Sequence, residues 1–86
     1  MGLQTSFHAP NGQADFLGIR KTRQGSTEIV YDDGGQHRMI WRVASVPGAE
    51  QQLSDALQVA VNALRVLPTL YDELKKRAIS IEPIVS

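Results

Sequence analysis

Cysteine is absent from this 86-residue chain, so neither a disulfide nor a thiolate metal site can support its fold. His8 and His37, the only histidines, lie too far apart in the chain to anchor a structural zinc site. Long apolar runs are missing as well, and none approaches the roughly 20 residues that a membrane-spanning helix requires. The first residues, Met1-Gly2-Leu3-Gln4-Thr5-Ser6, contain no basic stretch leading into an apolar core, which argues against a secretory leader. Gly2 and Ser6 match a myristoylation pattern formally, in a motif short enough to recur by chance. Net charge is lacking too, because nine Lys and Arg balance nine Asp and Glu. Without a global field, indiscriminate binding to DNA or to an anionic membrane is not expected. These absences together point to a cytoplasmic protein.

What remains fits one domain spanning residues 1–86. A chain this short buries only a little over half of its unfolded surface, so its stability is marginal and packing must supply it, within the chain or between chains. Turn chemistry punctuates the first half at Ala9-Pro10-Asn11-Gly12, Arg23-Gln24-Gly25-Ser26 and Asp32-Asp33-Gly34-Gly35. The segments between these turns read as strands. Over residues 36–44, His37, Met39, Trp41 and Val43 alternate with Arg38, Ile40 and Arg42, which predicts a strand with the first set facing the core. Residues 27–31 predict its hairpin partner, 16–22 a third strand with Leu17 and Ile19 inward, and 3–8 a fourth. Sequential hairpins make a meander over residues 3–45.

Val46-Pro47-Gly48 marks a change of period, with helical spacing expected over 47–78. Leu53, Ala56, Leu57, Ala60, Val61, Leu64 and Leu67 recur at three- and four-residue intervals, with polar residues on the other side. Pro68 either kinks this helix or opens a second one, and Lys75-Lys76-Arg77 favours a C-terminus there. The fold class expected is α+β: a short antiparallel meander of three to four strands packed against a long C-terminal helical segment interrupted at Pro68.

Val59, Ala63 and Val66 widen the apolar arc beyond what one sheet face requires, and the tail over 79–86 is rich in apolar residues, Ile79, Ile81 and Ile84 among them. The tail forms an edge strand on its own sheet or reaches to a second copy. With these six residues as the interface, a homo-oligomer is expected, most simply a dimer.

Raw material for catalysis is poor. No serine stands in a nucleophile context, His37 falls on the expected core face, and His8 adjoins a turn, so the chain is read as non-enzymatic and without a cofactor. Asp32 and Asp33 before Gly-Gly are what a hairpin turn favours. Gly34-Gly35 precedes a strand, whereas the usual phosphate-binding glycines precede a helix. One set of residues does suit a ligand: Phe16, Arg20, Arg38, Ile40 and Arg42 share the outer face of the expected sheet. Arginine forks and an adjacent ring can hold a nucleotide, an RNA or an acidic protein surface. The alternative is that these arginines form cross-strand pairs with Glu28 and Asp32.

The segment Leu57-Gln58-Val59-Ala60-Val61-Asn62-Ala63-Leu64-Arg65-Val66-Leu67-Pro68-Thr69-Leu70-Tyr71-Asp72-Glu73-Leu74 resembles the C-terminal helices of many small bacteriophage and prophage proteins. The resemblance is compositional, covers about the last half of the chain and carries no functional residue across. It implies a phage accessory protein acting in the cytoplasm of a bacterial host. That class includes inhibitors of host defence, such as anti-CRISPR proteins, and sponges for cyclic nucleotides. The partners it implies are a bacterial defence protein or a cyclic nucleotide; the alternative reading is a purely structural homo-oligomerisation module.

Overall fold

Alternating side chains and short turns build the first half of the chain into strands, and a computed structural model describes residues 4–8, 15–35, 37–44 and 49–84. The strands are β1 (Gln4–His8), β2 (Phe16–Lys21), β3 (Thr27–Asp32) and β4 (Arg38–Val43). Helices α1 (Ala49–Val61) and α2 (Val66–Lys76) follow, then a short β5 (Ile81–Pro83). All five strands join one antiparallel sheet in the order β1-β2-β3-β4-β5, so the α+β class and the meander hold, with the tail added as a fifth strand. The turn at Ala9-Pro10-Asn11-Gly12 and the helix-start signal at Val46-Pro47-Gly48 lie outside the described residues.

The β2–β3 turn closes where Gly25 takes φ 85, a left-handed conformation that glycine adopts without strain. The Thr22 N–H donates to the Ser26 carbonyl at 2.8 Å and the Gly25 N–H to the Thr22 carbonyl at 3.0 Å. At the β3–β4 turn the two aspartates act as turn residues. Asp32 Oδ1 accepts from the Gly34 N–H at 2.7 Å, and Asp33 Oδ1 accepts from Gly35 at 2.9 Å and His37 at 3.2 Å. Those backbone donors, Gly35 first and His37 second, hold the Asp33 carboxyl below its ordinary value of 3.8.

One face of the sheet carries the core. Leu17, Ile29, Tyr31, Trp41 and Val43 are buried there against Leu53, Ala56, Leu57, Ala60 and Val61 of α1 and Val66, Leu70 and Leu74 of α2. Helix α1 packs over β1 and β2. Helix α2 packs against α1 and meets β4 where Tyr71 sets its ring edge-on to Trp41, centroids 6.0 Å apart. Met39 alternates onto the same face as Trp41 but is exposed, because it lies near the start of β4.

The expectation of one long helical segment is corrected. The chain leaves the helix after Val61 and re-enters at Val66, with Arg65 extended at φ −119 and ψ 103. The position of Pro68 explains the break. Within a continuous helix Pro68 would leave the Leu64 carbonyl without its donor and would clash with it. With α2 starting at Val66, Pro68 falls in the first turn, where an N–H has no intrahelical partner in any case. The first such bond comes one residue later, from the Thr69 N–H to the Arg65 carbonyl at 3.3 Å.

The break resets the helical phase, so the expectations for Leu64 and Val66, which rested on one continuous stripe, are corrected with it, and so is that for Ile79 of the tail. Leu64, expected against the sheet, is 87% exposed, whereas Val66 and Ile79, expected at an oligomer seam, are 4% and 7% exposed and belong to the chain's own core. His37 is also corrected. It lies before β4 and is exposed, with Nδ1 3.3 Å from Asp33 Oδ2, rather than facing the core.

Helix α2 ends in a Schellman motif. The Ile79 N–H donates to the Leu74 carbonyl at 3.0 Å and the Ala78 N–H to the Lys75 carbonyl at 3.1 Å. Leu74 and Ile79 are both buried, which is the apolar contact that usually accompanies this ending. The left-handed position is held by Ala78, at φ 55, where glycine is the usual choice. Glu73 closes the same turn by accepting from Arg77 Nη1 at 2.6 Å and Lys76 Nζ at 2.9 Å. Those two bonds, Arg77 first, hold its carboxyl below the ordinary 4.5.

Two predictions follow from these turns. Ala78→Gly relieves the left-handed strain and is expected to raise stability by about 1 kcal/mol, read as a thermal midpoint several degrees higher. Asp33 and Glu73 have folded pKa values below their unfolded ones, so their contribution is present above about 4.5 and is withdrawn as pH falls through the folded values. Urea midpoints should therefore be flat near neutrality and drop in acid, and the acid slope should be shallower in Asp33→Asn and Glu73→Gln.

Candidate functional site

Side chains that alternate away from the helices form the outer face of the sheet. Register places them in rows across the strands: Arg20, Glu28, Arg42 and Glu82; then Ser6, Gly18, Val30 and Ile40; then His8, Phe16, Asp32 and Arg38. The five residues expected to share a surface, Phe16, Arg20, Arg38, Ile40 and Arg42, are thus on one face. Phe16, Arg20 and Ile40 are half-buried, and Arg38 and Arg42 are exposed.

The three arginines are not equivalent. Glu28 stands between Arg20 and Arg42 in its row, and a single carboxylate cannot neutralise both. It turns to Arg20, whose Nε lies 2.6 Å from Glu28 Oε1, and this carboxylate residue is only 8% exposed. Cross-strand pairing therefore accounts for Arg20. It does not account for the other two. The register partner of Arg38 is Asp32, whose Oδ1 is engaged by the Gly34 N–H in the hairpin turn. Among the described residues, neither Arg38 nor Arg42 has a carboxylate within ion-pair distance.

The middle row is low because Gly18 has no side chain. Over it lies a depression of about 60 Å³ walled by Ser6, Phe16, Arg20, Val30 and Arg38. Phe16 leans on His8 across the strands, ring centroids 5.2 Å apart and tilted by 51°. A larger open cavity of about 450 Å³ lies at the other end of the sheet, between Gln24, Gly25 and Ser26 of the turn, the end of β4 at Arg42–Ala44, and Ser80–Glu82. Sequence reading missed this second hollow because residues 80–82 reach it only through the placement of β5. The apolar tail was the signal that pointed to such a strand.

The residues expected at an oligomer seam are scattered. Val59 is 44% exposed on α1, and Ala63 is half-buried in the connection to α2. Ile81 packs against the core, and the Ile84 N–H donates to the Ile40 carbonyl at 2.9 Å beyond the end of β5. Elsewhere among the described residues, the exposed large apolar side chains are Leu64, Tyr71 and Met39.

Burial, then the Asp15 charge, pushes the Tyr31 hydroxyl above its usual value, and that hydroxyl donates to Asp15 Oδ1 at 3.3 Å. Lys21 Nζ, 2.8 Å from Glu50 Oε1, lowers the Glu50 carboxyl and ties β2 to the first turn of α1. Among the described residues no group of three or more His, Asp or Glu gathers to hold a metal ion, and no helix is long and apolar enough to cross a membrane.

The asymmetry among the arginines has a measurable consequence. Arg20→Met takes from the buried Glu28 carboxylate its 2.6 Å partner, leaving only exposed Arg42 beside it in the row, and should lower stability by about 1–3 kcal/mol in denaturant titration. Arg38→Met and Arg42→Met should fall within about 0.5 kcal/mol of the parent. Comparison of the chain with protein-family models, with curated proteins and with solved structures returns no match.

Proposed function

We propose that this chain is a non-enzymatic binding protein of the phage accessory type, which docks an acidic protein surface on the outer face of its sheet. The observation that carries this reading is the pair of exposed arginines, Arg38 and Arg42, on either side of half-buried Ile40, neither in an ion pair among the described residues although Arg42 lies between Glu28 and Glu82 in its row. Four residues apart on one strand, their Cα atoms stand about 13 Å from each other. That spacing suits two carboxylates on a flat partner better than one phosphate. The cavities favour the same choice. The depression of about 60 Å³ is small against the roughly 300–1,000 Å³ of ordinary small-molecule sites, and the larger hollow sets Glu82 beside Arg42 on its wall, so its charges cancel where a phosphate would need a net cation. A protein surface is therefore favoured over a cyclic nucleotide. The resemblance of the helical half to phage proteins suggests a bacterial defence protein as the target, met in the host cytoplasm.

A second reading, a structural homo-oligomerisation module without a small-molecule ligand, draws on the exposed apolar side chains of Leu64, Val59 and Tyr71 at 87%, 44% and 43%.

Capture from a bacterial lysate on the parent chain and on an Arg38→Glu, Arg42→Glu double variant tests the first reading. A specific partner should be retained by the parent, released by salt and lost from the double variant. Retention of the same partner by the double variant would sink it. So would a stoichiometric calorimetric signal with a cyclic nucleotide, which would transfer the site to a messenger ligand.

A further inference from the structure

A five-stranded open sheet has two edges, and among the described residues only one of them is guarded. The β5 edge is three residues long, carries Glu82, and ends in Pro83, which has no N–H to offer. Shortness, charge and proline are the usual devices that keep an edge from pairing with another chain. The β1 edge has none of them. Its five residues, Gln4-Thr5-Ser6-Phe7-His8, include no Lys, Arg, Asp, Glu or Pro, and among the described residues β1 pairs with β2 alone.

We propose that β1 is the seam of a homodimer, in which it pairs antiparallel with β1 of a second copy about a two-fold axis at Ser6. In that register Ser6 lies opposite its own copy, Gln4 opposite His8 of the partner subunit, and Thr5 opposite Phe7 of the partner subunit. Even-numbered positions stay on the outer face and odd-numbered ones on the helix face, so Phe7 keeps its place against the core in both copies. No like charges meet. The same operation at the β5 edge would set Glu82 against Glu82, with Pro83 unable to donate. A two-fold pairing satisfies the outward N–H and C=O groups of both strands reciprocally, which a second copy of this chain provides without any further sequence requirement.

The helix layer fits the same geometry. Helix α1 lies over β1 and β2, and strands are spaced by about 4.8 Å, which sets its axis about 5 Å from the seam. The two α1 helices then stand about 10 Å apart, at the upper end of the range for directly packed helices. The seam lies at the edge opposite β5, which leaves Arg38 and Arg42 of β4 open, so this inference stands or falls separately from the reading of the outer face.

Light scattering against concentration tests it on the full chain. The parent should reach twice the 9.5 kDa chain mass. Ser6→Lys places two ammonium groups across the axis and should return the mass to that of one chain with an unchanged circular dichroism spectrum. An equimolar mixture of Ser6→Lys and Ser6→Glu should restore the dimer. A parent that stays monomeric at every concentration, a dimer that survives Ser6→Lys, or a mixture that fails to associate would overturn the proposal. If Ser6→Lys unfolds the chain, amide exchange of the parent decides. Exchange at β1 should slow as concentration rises, and concentration-independent exchange there would overturn it.

Discussion

The missing N–H of Pro68 is the constraint on which the rest of the fold depends. An unbroken helix from residue 49 to residue 76 would run roughly 42 Å, longer than the 34 Å of the molecule's greatest extent. Such a helix would overhang the sheet and leave part of its apolar stripe in water. Because Pro68 is tolerated only in a first turn, the chain ends α1 at Val61 and starts α2 at Val66, and the two helices pack against each other above one sheet. The consequences reach to the C-terminus. With α2 set over β4 through Tyr71 and Trp41, the Schellman turn at Arg77–Ile79 delivers the tail to the β4 edge, where it completes the sheet as β5.

Competition for carboxylates shapes the outer face in a similar way. Glu28 has an arginine on each side in its cross-strand row and serves Arg20. Asp32 has Arg38 as its register partner and serves the hairpin backbone instead. Each choice has a local cause: a partly buried carboxylate gains most from the better-enclosed guanidinium, and an aspartate before two glycines gains an intramolecular N–H at no reach. Arg38 and Arg42 are left on β4 without an ion pair among the described residues, although the rows of the face hold as many carboxylates, Glu28, Asp32 and Glu82, as arginines.

Much of the first half was legible because strand physics is local. The alternation of Trp41 and Val43 with Ile40 and Arg42, and the turn chemistry at Gly25 and Asp32–Gly35, fix strands and faces within a few residues of sequence. The outer-face set was legible for the same reason. His37 was misplaced inward because alternation was carried past the end of the strand, whose first residue is Arg38. Leu64 and Val66 were misplaced because periodicity was extended through residues 62–65, where the helix has no phase to transmit. Which arginine would be neutralised was not legible, since that depends on distances between strands rather than along them.

The sequence by itself determined the class of structure and the identity of the two sheet faces, because both follow from periods of two and about three and a half residues along a single segment. Tertiary structure alone decided the destination of the apolar tail, the burial of Val66 and Ile79, and which strands, β1 and β5, lie at the two ends of the sheet. Each of these is a relation between segments far apart in the chain. Such relations are settled by which surfaces remain uncovered once the helices have broken and packed, and no local pattern records that outcome.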